Sequence, residues 1–146
     1  MILGAVLAGG AWLLASLAGL PIDPFLPLVV ALGLRRSWPA WARIVMALAL
    51  APLAAAACGD VATDRAALYA VAVMGSVNLA DWFSDSVLTR TGFAAAALGS
   101  VLGMRTLLAW TDAAPAPSET LVSVFATVTW VAVHAAVTLP WSRGDA

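Results

Sequence analysis

Few residues in this chain could do chemistry. Asp60 and Asp64 stand four apart, and so do Asp81 and Asp85. Residues four apart share a helix face, so each pair could present two carboxylates together. Two such pairs are a possible donor set for a membrane transferase that uses two metal ions roughly 4 Å apart. His134 is the one histidine, four residues after Trp130 in an apolar run. An ionisable group in such a run is a functional candidate by default. Arg105 lies five residues before Trp110 in another apolar run. It can snorkel toward an interface or pair with Asp112 or Glu119 across the following polar stretch. Asn78, Ser76, Thr127 and Thr129 can hydrogen-bond between helices. Cys58 is the only cysteine, so it forms neither an internal disulfide nor a thiolate cluster. No Ser/His/Asp set, phosphate loop or zinc motif is present.

The two-metal reading does not survive its spacing. CDP-alcohol phosphatidyltransferases carry D-x2-D-G-x2-A-R followed by G-x3-D-x3-D, and only Asp81-x3-Asp85 echoes the end of it. Asp60 and Asp64 are one residue too far apart, no Asp-Gly follows, and Gly75 lies six residues before Asp81. The apolar run 66–82 between the pairs makes about 25 Å of helix, which sends them to opposite ends. All four are read as solvated loop carboxylates. His134 is neutral near pH 7 and needs one hydrogen bond to a neighbouring helix. No catalytic residue, metal or cofactor is assigned.

The elements that position these residues are apolar. The chain is 63% hydrophobic and 10% charged, with a mean hydropathy of +0.97. A water-soluble domain of 146 residues has too much surface for its volume to hide that much apolar area, so lipid is the expected solvent. The net charge of −1 gives no basic footprint for nucleic acid. All seven basic residues are Arg.

An all-α, polytopic membrane fold in one domain follows, with helices over about 2–20, 24–34, 40–58, 66–82, 91–110 and 119–140. The first has no basic residue before its apolar run, unlike a secretory signal, and is expected to be retained. The second is short: ten or eleven residues make about 16 Å of helix, against a hydrocarbon core of roughly 30 Å. It either spans a thinned bilayer or is a re-entrant element buried in protein. Pro52 should kink the third. Residues 60–65 and 81–90 are expected as polar loops.

Arg35-Arg36-Ser37-Trp38-Pro39-Ala40-Trp41-Ala42-Arg43 sits between two apolar runs. Arg is retained on the cytoplasmic side and indole rings settle at headgroup depth, so this stretch reads as a cytoplasmic interface loop. Arg90 and Arg143 then fall on the same side and Arg65 and Arg105 on the other. With six spans both termini are cytoplasmic. Ala95, Gly99 and Gly103 recur at four-residue spacing and make a small-residue stripe where a helix can come close. Packing within the molecule, against the first or fourth span, is its bland use. Docking a partner's membrane helix is the sharper one.

Pro24, Arg35-Arg36, Gly59-Asp60 and Trp130…Pro140-Trp141 lie along the chain in a layout that resembles the rod shape-determining protein MreD family. That family has a proline-bounded short second helix, a basic cytoplasmic turn, a Gly-to-Asp element ending the third helix and a Trp/Pro-rich last span. The resemblance implies a non-enzymatic inner-membrane component of the bacterial elongation machinery. It implies an MreC-like partner, a link to peptidoglycan synthesis, and a fold similar to the substrate-binding subunits of energy-coupling-factor vitamin transporters. Pro24, Arg35, Arg36, Arg43 and Asp60 would then be structural and topological anchors, and Ala95, Gly99 and Gly103 the docking face. The alternative is a small-ligand uptake subunit, which needs a polar pocket from Asn78, Trp82, Arg105 and His134.

Overall fold

The computed structural model describes residues 2–58, 62–111 and 121–142. Among the described residues seven helices follow one another: α1 (Ile2–Ala18), α2 (Leu26–Leu34), α3 (Ala40–Ala49), α4 (Ala51–Cys58), α5 (Ala62–Leu79), α6 (Val87–Trp110) and α7 (Leu121–Ser142). No strand occurs among the described residues. α3 and α4 are one kinked rod, broken at Leu50. Pro52 is the cause: it has no N–H for the carbonyl four residues back, and its ring crowds that carbonyl.

The short α2 is the centre of the molecule. Eight of its nine residues are buried, and it touches α1, α3, α5, α6 and α7. A helix apolar all round must be enclosed, and here protein encloses it. Pro27 stands in its first turn, where a missing N–H costs nothing. Against α5 the approach is close. A Cβ on Gly33 would lie 2.7 Å from the Ser76 Cβ and 3.2 Å from the Val73 carbonyl oxygen, and would overlap the Ser76 hydroxyl. Ser76 bends its hydroxyl back to the Ala72 carbonyl of its own helix.

α1 packs through small residues too. Its buried positions are Gly4, Ala8, Ala11 and Ala15, a stripe that brings backbones together by van der Waals contact. α6 and α7 are long and apolar enough to cross a membrane. Only 17% and 22% of their most apolar windows are buried inside the protein, so most of that apolar surface faces outward.

Several sequence expectations shift. α5 begins four residues before the expected 66, so Asp64 and Arg65 are helical rather than in a polar turn. An acid in the first turn suits the positive end of the helix dipole. α6 begins at Val87 rather than 91, because the Ser86 hydroxyl accepts from the Thr89 N–H at 3.1 Å and caps it. α7 carries Pro140 inside its last turn. Arg43 is not an interface-loop residue: it lies in α3, is buried, and donates from Nη1 to the Gly33 carbonyl at 2.6 Å. It thus serves the orphan carbonyls at the C-terminus of α2.

Candidate functional site

The bundle has two ends. Arg36 reaches the C-terminal end of α5, with Nε 3.5 Å from Asp81. Arg105, near the C-terminus of α6, lies 3.5 Å from Asp64 at the N-terminus of α5. Arg35, Arg36 and Arg90 therefore gather at one end, and Arg65 and Arg105 at the other, as the Arg distribution in the sequence implies.

Asp23 forms a buried polar node near the Arg65 end. The loop after α1 dips inward and leaves it 1% exposed. Its Oδ1 accepts from the Phe25 and Leu26 N–H groups at 3.0 and 2.9 Å, which starts α2. The same oxygen accepts from the Tyr69 hydroxyl at 2.6 Å. Oδ2 accepts from Arg65 Nη1 at 2.9 Å, and the Asp23 N–H donates to Thr127 Oγ1 at 3.0 Å. One residue thus ties the entry of α2 to α5 through its carboxylate and to α7 through its backbone N–H. Such a charge is stable in the interior only when paired and hydrogen-bonded, and here it is both. The chemistry of the node is cohesion.

Beside it, Trp130 Nε1 donates to the Pro24 carbonyl at 3.3 Å. The Trp130 and His134 rings meet edge-on, with centroids 5.8 Å apart. His134 is 1% exposed, and its Nε2 lies 3.1 Å from the Gly4 carbonyl oxygen. A carbonyl only accepts, so Nε2 carries the proton. Nδ1 has no hydrogen-bond partner among the described residues. A Cβ on Gly4 would stand 3.3 Å from the imidazole, so the glycine lets the ring reach the backbone of α1.

The Arg36 end is polar and open. Arg90 grips Asp85 with two bonds of 2.7 Å and reaches Thr138 of α7 at 3.3 Å. Arg35 donates to Ser37 at 3.1 Å and lies 5.2 Å from the centroid of the Trp38 ring. Trp41, Trp82 and Trp141 are all largely exposed at this end, and Trp110 at the other.

The sequence candidates fare unevenly. The proposed pocket does not assemble: Asn78 and Trp82 are exposed at one end, Arg105 pairs with Asp64 at the other, and His134 is buried against α1. Helical order separates them, because the Asn78–Trp82 end, His134 and Arg105 lie at different heights of the bundle. Ala95, Gly99 and Gly103 are exposed rather than packed within the molecule. A Cβ at Gly99 or Gly103 meets nothing within 4 Å. Asp60, Asp112 and Glu119 lie outside the described residues, and so do the pairings expected of the last two with Arg105. Among the described residues no group of His, Cys, Asp or Glu could hold a metal ion.

The sequence reading did not join Asp23, Arg65 and Tyr69 into one cluster. Asp23 between two prolines looks like a turn former. The signal was an acid between two apolar runs, with Arg65 and Tyr69 four apart on one helix face, since intramembrane charges carry partners. Comparisons of the chain with family models, with curated proteins and with solved structures give no match.

Proposed function

We propose that this chain is a multi-pass bacterial inner-membrane scaffold of the MreD type. Its six membrane-embedded elements count α3 and α4 as one, with α2 enclosed by the others and the Arg35–Arg36 turn and both termini on the cytoplasmic side. It is non-enzymatic, and holds an MreC-like partner and other elongation-complex proteins through their membrane helices, in the service of peptidoglycan synthesis. One observation carries this reading: buried Asp23, Arg43 and His134 each bond to a neighbouring helix, while the outer apolar surface, with the Ala95, Gly99 and Gly103 face of α6, is open. A catalyst or a carrier would hold unspent polar groups around a cavity in its interior. The uptake-subunit alternative lacks such support, since Asn78, Arg105 and His134 stand apart.

Depletion in the native host tests the proposal. Loss of rod shape is the expected result; normal shape with impaired solute uptake would reverse the choice. Replacing Gly99 and Gly103 together by Leu should abolish co-purification of the membrane partner while leaving thermal stability intact. A reporter placed between residues 36 and 43 should remain inside the cell, and its appearance outside would overturn the threading.

A further inference from the structure

Between the C-terminus of α5 and the cap of α6, the surface carries a half-open hollow of about 540 Å³. Arg36, Asp81, Ser84 and Asp85 line it, together with Trp82 and Phe83. That volume suits a small ligand, for which sites run from about 300 to 1,000 Å³. Its walls are already braced. Arg36 donates to the Ala80 carbonyl, and Thr89 Oγ1 donates to the Ser84 carbonyl at 2.8 Å. Asp85 is clamped by Arg90, and Phe83 meets Phe93 edge-on at 5.9 Å between centroids.

Charge selects the occupant. Arg90 already neutralises Asp85, which leaves Arg36 and Asp81, 3.5 Å apart, with side chains 61% and 87% exposed. A lone cation or a lone anion would find one attractive and one repulsive group there. A zwitterion finds two attractive ones. Asp81 also follows the C-terminus of α5, where unpaired helix carbonyls add negative partial charge and favour a cation. Depth selects the source. The exposed Trp41, Trp82 and Trp141 mark this end, and indole rings rest at headgroup level.

We propose that this cavity binds the phosphoethanolamine headgroup of a membrane phospholipid, its ammonium on Asp81, its phosphate on Arg36, and its glycerol side against Trp82. A primary ammonium is preferred to choline, because the Asp81 carboxylate accepts N–H bonds that a quaternary ammonium does not offer. The assignment rests on the membrane reading given above.

The test uses the full chain in mild detergent with phosphatidylethanolamine, phosphatidylcholine and phosphatidylglycerol in equal amounts, bound lipid being read by native mass spectrometry. Phosphatidylethanolamine should exceed phosphatidylcholine by about tenfold, the scale of one charge-assisted hydrogen bond. Asp81→Asn should erase that preference at an unchanged melting temperature, and Asp81→Glu should keep it. Arg36→Gln should weaken all three lipids alike. Equal retention of the three lipids by the unaltered protein, or a preference that survives Asp81→Asn, would overturn the site. Soluble glycerophosphoethanolamine at the same concentration should not displace the lipid; if it does, the lipid assignment falls. Carbonate washing of membranes separates the two readings. A chain that washes off fails both, whereas one that stays but shows no preference fails only the headgroup site.

Discussion

Asp23–Arg65 and Arg36–Asp81 are the same chemical pair in opposite settings. The first has side chains 0% and 9% exposed and a separation of 2.9 Å. The second is 61% and 87% exposed at 3.5 Å. Burial turns the first into a structural requirement, since only protein groups stand in for the water each charge has lost. Exposure leaves the second little weight in the fold, because water and ions screen it, and so leaves it free to meet a ligand. Identical side chains thus serve cohesion in one place and recognition in another, and the surrounding dielectric decides which.

Mutations can break that contrast, and the largest effect should come from the node. Asp23→Ala removes the buried ion pair with Arg65 and uncaps α2, and should cost about 3–5 kcal/mol. A fall in melting temperature in detergent, with loss of protease resistance around α2, would register it; an unchanged melting temperature would refute the structural role. Gly33→Ala comes next. The new Cβ meets Ser76 and the α5 backbone, which predicts a loss of about 1–3 kcal/mol, partly recovered by Ser76→Gly. Tyr69→Phe removes one bond to a charged acceptor and should cost about 1.5–3 kcal/mol, near the Gly33→Ala value and clearly below that of Asp23→Ala. At the other extreme, Asp81→Asn should shift stability by less than about 1 kcal/mol, measured by the same melt. A large loss there would erase the distinction between the two pairs.

Much of the architecture is legible along the chain, for identifiable reasons. Apolar runs broken by proline and charge marked the helical elements, and Pro52 announced the break between α3 and α4. Segment 24–34 was shorter than a full span, so that it either crossed a thinned bilayer or lay buried in protein. The helix starts were missed where capping was local and subtle, as at Ser86, or where acidic residues that resemble a loop stood in a first turn, as at Asp64. The candidate site was less legible. Asp23 and Arg65 are 42 residues apart, and nothing in local pattern links them. Arg43 belonged by sequence to the basic loop, yet its long side chain folds back to α2.

The sequence by itself determined that this protein is helical, that its composition is strongly apolar, and that its arginines divide unequally between two ends. Those are properties of composition and order, which hold whatever the packing. Only the tertiary structure decided which charges are buried together, which glycines admit a neighbour, as Gly4 and Gly33 do, and which face outward, as Gly99 and Gly103 do. Such choices depend on the mutual rotation and depth of packed helices, and one apolar stripe looks much like another until its neighbour is in place.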